Sequence, residues 1–455
     1  MTYPTFAGSA RAYHRGRDTA ALPLTRAPIL ALLLTLAPAA ASAQLANTVP
    51  TALGMGDNYT ALARGYSAVA WNPAGLAMAG GPSASATIGA MRVLGGLGPV
   101  TLGDLKTWQG EIVPADVRQR WIADINRDGG QKGAAGFDFT IAAFQAGRFG
   151  AQVSTSGRTI NDIAPGMAEL ILMGNVDADG NLRDVALGGS DIDAQVYSTG
   201  ALSFGIPLMV QEGAGRLSLG ITAKYTIGHV LGVTNESVGQ ATAEPAGLRL
   251  SFPIAYTPVT YGGTKYKIRA GSGFGIDVGA GYQRGRFSLG AVAQNLFNSF
   301  EWDQSLLRYR PLEIVFSDDE IDTDIDWEPL TSAPANLRAL VDASTFNPTF
   351  ALGVAVAAMP RVTLAADARF GSTEGMATRP PNHIGAGVEA RPVRWLPLQA
   401  GAAWVSLGDE RSGLQYGGGL GLQLGTFLIS ASAMRRDVGL GEENMLMVSL
   451  LSHTF

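Results

Sequence analysis

Three groups of side chains have the types and spacing to hold a cation. Asp124-x-Asn126-x-Asp128-Gly129 and Asn175-x-Asp177-x-Asp179-Gly180 each repeat the first half of an EF-hand loop, where alternate oxygens converge and a Gly makes the sharp turn. The bidentate carboxylate needed at position twelve is replaced by Ala135 in one and Ala186 in the other. The third group is the run Asp318, Asp319, Glu320, Asp322, Asp324 and Asp326, whose alternation suits a solvated hairpin with a polar face. No metal site is assigned to any of them. Catalytic chemistry finds less. His229, His383 and His453 lie far apart, Cys is absent, and G-x-S-x-G, H-E-x-x-H and P-loop motifs are missing. The chain reads as neither an enzyme nor a cofactor carrier, and a net charge of -5 argues against nucleic acid as a partner.

The elements that would position such residues come from composition and periodicity. Charged residues are 16% of the chain, below the ~25% of soluble domains, while Gly reaches 59 of 455 residues. Arg11, Arg15, Arg17 and Arg26 precede an apolar run over 27–40, followed by Ala41-Ser42-Ala43-Gln44. A basic region, a short apolar region and an A-x-A site make a secretory signal peptide over 1–43, and the apolar run is too short to span a bilayer. No Cys follows the site, so this is not a lipoprotein leader.

Downstream the apolar period is two. Phe274, Ile276, Val278, Ala280 and Tyr282 alternate with Gly275, Asp277, Gly279, Gly281 and Gln283, then turn at Arg284-Gly285-Arg286 into Phe287, Leu289, Ala291 and Ala293. The 23 uncharged residues between Arg411 and Arg435 are long enough for a helix. Yet they contain Gly417, Gly418, Gly419, Gly421 and Gly425, and their parity flips after Gly425-Thr426. Strands are expected to start near 83, 136, 149, 191, 215, 271, 286, 346, 361, 381, 396, 414, 426 and 443. Short turns alternate with connections that include long loops at about 94–135, 160–190, 227–270 and 298–345. Strands of ~10 residues with turns at one end and loops at the other predict an all-β, transmembrane up-and-down barrel of about 14 antiparallel strands over 81–455. Lys224, Asp277, Asp367, Arg369, Glu389 and Arg391 fall on the opposite, lumen-facing parity, where a satisfied internal network is expected.

The last strand, near 444–455, places Phe455, Leu451 and Met447 on one parity. This resembles the terminal signal read by the barrel assembly machinery, with Phe455 as the signal residue; His453 and Ser449 depart from its apolar positions.

Residues 44–80 lack strand alternation and read as a compact hatch. Within them Ala70-Trp71-Asn72-Pro73-Ala74-Gly75-Leu76 resembles the N-terminal motif of the FadL-type long-chain fatty acid and hydrocarbon transporter superfamily, which includes PorV-like relatives. Relatives often carry an acidic pair before the motif, where this chain has Ala63-Arg64-Gly65-Tyr66. The resemblance implies a fourteen-stranded barrel in the cell outer membrane, an inward-folded hatch, and outer-membrane lipid and hydrophobic small molecules as partners. Asn72, Pro73, Ala74 and Gly75 form the hatch motif. A residue before Pro is pushed out of the helical region, so Asn72-Pro73 favours a turn, with the Asn amide free to bond nearby backbone or wall.

Two outer loops carry apolar faces at helical spacing: Val117, Trp121, Ile122 and Ile125 in 114–126, and Met167, Leu170, Ile171 and Met173 in 165–173. A third such segment, 334–341, carries Leu337, Leu340 and Val341. Such helices pack on one another to close the mouth, or, as the resemblance implies, present Trp121, Ile122, Ile125, Met167, Leu170 and Ile171 to a greasy ligand. The function expected is passive, hatch-gated admission of small hydrophobic molecules. The alternatives are a PorV-like role in protein secretion or surface attachment, and a general porin. Mass spectrometry of the membrane form should show a chain beginning at Gln44; a retained leader would refute the export signal.

Overall fold

The computed structural model describes residues 45–454 apart from 178, 212–214, 259–268, 318–320, 325, 374, 377–378, 409–410 and 439–441. The expected leader and the signal residue Phe455 therefore lie outside the described residues.

The period-two pattern becomes a closed antiparallel barrel of fourteen strands. They are β1 Ala84–Gly98, β2 Gln131–Ala146, β3 Phe149–Ile163, β4 Asp191–Gln211 and β5 Gly215–Thr234. Then follow β6 Gly271–Arg284, β7 Phe287–Asn298, β8 Thr349–Met359, β9 Val362–Gly371 and β10 Asn382–Val393. The last four are β11 Leu396–Ser406, β12 Ser412–Leu424, β13 Phe427–Asp437 and β14 Glu442–Thr454. Each pairs with the next, and β1 pairs with β14 from Ser85↔Thr454 to Gly95↔Asn444, so no wall strand keeps a free edge. Gly147, Gly285 and Gly425 sit at tight turns with φ of 57°, 56° and 63°, a region that only Gly enters freely.

Several strands run longer than the ten residues expected. β2 begins at Gln131, β1 continues to Gly98, and β4 and β5 reach 21 and 20 residues. Their ladders continue past the apolar band because paired backbone needs no lipid to hold it. The loop sides of Tyr197, Leu231 and Val233 are buried by the loops that fold over them.

The exterior carries the large apolar side chains. Leu289, Leu352, Leu364, Ile384, Leu420 and Ile429 are exposed around the waist. Phe149, Phe287, Trp395 and Phe427 ring the tight-turn end, and Phe274, Phe350, Phe370 and Trp404 ring the loop end. The inward positions hold Arg92, Asp138, Lys224, Asp277, Arg369 and Gln415, all buried. An apolar outside with aromatic girdles around a polar inside is the arrangement hydrocarbon solvent demands of a barrel. Among the described residues no helix is long and apolar enough to cross a membrane.

One strand departs from simple alternation. Between Leu428↔Ser452 and Ser430↔Ser449, β14 carries one residue more than β13. This bulge reverses parity, so Met447 is fully buried on the lumen side while Leu446 is exposed. Met447 thus does not share the outward face that a strict period of two would assign it.

Outside the wall, the loops contribute their own sheet. Val185–Ala186, Val238–Thr242, Gly247–Ser251, Glu313–Ser317 and Ile321–Asp324 pair into five strands drawn from three loops. Replacing Leu352 or Leu289 with Arg should cost ~2–4 kcal/mol in refolding titrations into lipid, because the charge lands at mid-strand on the apolar face. The same change at Thr363, on the lumen face of β9, should cost clearly less.

Candidate functional site

The lumen is occupied by residues 45–80, nearly all of them buried. The segment forms α1 Pro50–Gly54, a 3₁₀ turn Gly65–Ser67, α2 Ala68–Trp71 and a second 3₁₀ turn Pro73–Leu76. Asn72 takes the extended conformation its Pro imposes, φ −159° and ψ 104°. Its Oδ1 accepts from the Ala74 N–H at 3.1 Å and caps the second turn, while Nδ2 donates to the Ala280 carbonyl of β6 at 3.1 Å. Pro73, Ala74 and Gly75 are buried against the wall, and a Cβ at Gly75 would collide with the Ala63 carbonyl. The four residues of the hatch motif thus form one corner that ties the plug to β6.

The wall admits the plug because it lacks side chains at that level. Added Cβ atoms at Gly220 and Gly279 would strike Pro73 and Asn72; at Gly290 and Gly353 they would strike Thr60 and Ala61; at Gly387 and Gly401 they would strike Met55. These glycines lie across from one another in the ladder: Gly220↔Gly279, Gly290↔Gly353 and Gly387↔Gly401. The abundance of Gly noted in the sequence is therefore spatially organised as an inward belt.

Polar wall residues then grip the plug backbone. Asp367 Oδ2 accepts from the N–H groups of Tyr59 and Thr60 at 2.9 and 2.8 Å. Gln415 Nε2 donates to the Gly56 carbonyl at 3.0 Å, and His383 Nε2 lies 3.0 Å from Asn58 Oδ1. Arg379, in the connection between β9 and β10, reaches down so that its guanidinium sits 4.5 Å from the Trp71 ring centroid. It also donates to Gln294 Oε1 at 3.0 Å, and Asn47, with its amide oxygen turned toward it, accepts from Nε and Nη2 at 2.9 Å. Burial first, then the nearby Arg369 charge, pull the Arg379 guanidinium well below the usual arginine range. Burial also lowers Arg64 to about 10, so it stays protonated at neutral pH, and its Nη1 donates to the Ala61 and Ala63 carbonyls at 3.1 and 2.8 Å.

Around the plug, the wall carries both ion pairs and apolar side chains. Lys224 Nζ is 2.5 Å from both Asp277 Oδ1 and Asn295 Oδ1, and Arg92 pairs with Asp138. Arg436 pairs with Glu443 nearer the loop end. An apolar stripe over β11–β14 and β1 joins Val405, Met434, Met445, Met447 and Leu94 to Leu53 of α1, and it is interleaved with these pairs, Met447 lying across the ladder from Arg92. Val438 and the partly buried Ile160 and Leu407 extend it to the loop end. Sequence reading missed this stripe, and it missed Arg379 and Gln415. The expected network of Asp367, Arg369, Glu389 and Arg391 is not a single one. Asp367 holds the plug, Arg369 donates to the Pro380 carbonyl, and Arg391 pairs with Glu389 at 2.9 Å.

The loop helices are α3 Leu102–Thr107, α4 Ala115–Arg127, α5 Pro165–Met173 and α6 Ala335–Ala343. Trp121 and Ile125 are buried with Val117 and Ala168 where α4 meets α5, and Ile122 is half-buried. Met167 and Leu170 pack on Val185, Leu187 and Ala241 of the loop sheet, whereas Ile171 is 68% exposed. The structure therefore divides these six residues among two packing clusters, with Ile122 half-buried outside both and Ile171 exposed. Asp124 and Asp128 both pair with Arg127, and Asp177 accepts from the N–H groups of Asp179 and Asn181, closing its own turn.

No family model matches this sequence, and no curated protein matches it. Solved barrels are similar in outline. A Pseudomonas aeruginosa FadL homologue is 13% identical and covers 92% of this chain and 100% of its own, with a TM-score of 0.48. The Ralstonia pickettii toluene transporter TbuX is 12% identical over 89% of this chain and 98% of its own, with a TM-score of 0.48. The P. putida toluene transporter TodX is 10% identical over the same 89% and 98%, with a TM-score of 0.49.

Replacing Asp367 with Ala should strand two plug amides and weaken the plug by roughly 2 kcal/mol. Hydrogen exchange at Tyr59 and Thr60 should then be at least tenfold faster, with the strand amides of β8 and β9 little changed.

Proposed function

We propose that this barrel admits small hydrophobic molecules across the outer membrane, passively, with residues 44–80 as the hatch that gates the lumen. The observation that carries the reading is the apolar stripe. A lumen built for ions or sugars gains nothing from Leu94, Val405, Met434, Met445 and Met447, which side chains of Ser or Thr would replace at no loss of wall hydrogen bonding. A greasy cargo needs such side chains, because the charged groups among them oppose it by the desolvation it would impose. Met suits the task, since its flexible thioether adapts to cargo of differing shape. The hatch motif supports gating: Asn72 ties the plug to β6, so the plug resists displacement as a block. In this reading the short turns face the periplasm and the loops face outward. Hydrophobic small molecules and outer-membrane lipid are the partners, and the barrel assembly machinery inserts the chain.

The test is uptake in a transport-deficient cell. Octanoate or toluene uptake should depend on the protein, and Met447→Asp together with Met434→Asp should lower it at least tenfold while heat-modifiable gel migration is kept. Deleting 44–78 should raise ion conductance, which should be small in the wild type. Large wild-type conductance would favour a general porin. No response of either quantity would favour the PorV-like role in secretion or attachment.

A further inference from the structure

At the loop end of β7–β9 the wall and the connection from β9 to β10 enclose a small polar cavity of about 20 Å³. Gln294 and Asn295 of β7, Thr349 of β8 and the nearby Asn347 line it, together with Arg369 and Arg379. Both arginines are buried. Two guanidiniums thus share one wall, and among the described residues no carboxylate lines it. Asp57 of the plug acts on both arginines from outside the cavity. Asp367 acts on Arg369, but its carboxylate already holds the Tyr59 and Thr60 amides. Among the described residues neither guanidinium forms an ion pair with a carboxylate.

The donors are also under-used. A guanidinium presents five N–H donors and no acceptor. Arg379 commits Nε and Nη2 to Asn47 and Gln294, and its buried Nη1 has no hydrogen-bond partner. Arg369 donates from Nη1 to the carbonyl of Pro380, itself a lining residue, at 3.2 Å. A buried donor left unmade is costly, and two like charges beside one space repel each other. An anion placed between them removes the repulsion and accepts from the idle donor.

Size narrows the choice. A cavity needs ~10–15 Å³ of such volume to hold one water-sized particle, so this one takes a single monatomic ion and excludes a carboxylate or phosphate group. We propose that the cavity binds a halide ion, chloride in natural media, between Arg369 and Arg379, and that the ion tightens the clamp on the plug. Arg379 is the link, because the same guanidinium lies over Trp71 and bonds Asn47. Fixing it from the loop side restrains the plug at both residues. The site is independent of what the barrel transports.

The test uses the membrane form in lipid nanodiscs, with gluconate replaced by chloride at constant ionic strength. Gluconate is too bulky for the cavity. Hydrogen exchange is followed over plug residues 45–49 and 70–72. An ion that binds only the clamped state slows exchange by 1 + [L]/Kd, so about 100 mM chloride with a Kd of ~10 mM gives roughly tenfold slowing. Arg369→Gln and Arg379→Gln should each lose the response to chloride. Arg120→Gln, at an exposed loop position, should keep it. Wild-type crystals grown in bromide should show an anomalous peak between the two guanidiniums, a measurement that needs no variant. Absence of that peak would overturn the site, whatever exchange shows. A peak with equal exchange in both salts would uphold the site and overturn its hold on the plug. Slowing that survives both Gln variants would likewise overturn the clamp, because another ion site would then be its cause.

Discussion

Everything inside this barrel depends on how closely a folded plug can approach a β-wall. Inward side chains normally hold a plug off the wall by several ångströms. Here the ladder places Gly opposite Gly, as in Gly205↔Gly220, Gly281↔Gly290 and Gly401↔Gly417, so plug backbone meets strand backbone. Gly weakens a strand by roughly 0.5–1 kcal/mol per position relative to Ala. The burial of Trp71, Leu53, Met55 and Val69 offsets this, at ~1.5–3 kcal/mol for each large side chain. Close approach also brings Asp367, Gln415 and the Ala280 carbonyl within hydrogen-bonding range of the plug. With larger residues in the belt those contacts would be lost, so the grip follows from the glycines.

The plug's depth then sets what the rest of the lumen can be. Around the plug the wall sets the buried pairs Arg92–Asp138 and Lys224–Asp277 and the apolar stripe, with Arg92 across the ladder from Met447. The loops fold over the long ends of β4 and β5. Phe300, Trp302 and Phe346 stack edge-to-face above β4 and β5, and Trp302 Nε1 donates to the Ser344 carbonyl at 2.7 Å.

Much of the wall was legible because period-two alternation is a direct imprint of lipid outside and polar lumen inside. Strand starts at 149, 191, 215, 271 and 396 coincide with those expected. The upper extents of β2 and β5 were not legible, since once past the lipid band their neighbours are loops that impose no alternation. The stripe was hidden for a related reason. Met445-Leu446-Met447-Val448 is apolar on both faces, and the bulge before Ser452 decides which face is which. Gly abundance was visible, but its role needed the register that sets the glycines side by side. Arg379 carried no signal at all, because a lone Arg in a loop has no period.

The same contacts decide which part of the plug is free to move. Displacing the whole segment exposes Trp71, Leu53, Met55 and Val69 and breaks the Asp367, Gln415 and Asn72 bonds, on the order of 10 kcal/mol. Arg379 and Asn47 clamp it further from the loop side. Shifting α1 alone loses the bond from Ser432 Oγ to its Pro50 carbonyl and the packing of Leu53, roughly 3–4 kcal/mol. At about 1.4 kcal/mol per tenfold, that leaves an opened α1 populated near one part in several hundred, against less than one in a million for expulsion of the plug. The firm grip on Tyr59–Thr60 and Asn72 therefore leaves the uncapped helix α1 as the part of the plug that shifts at least cost.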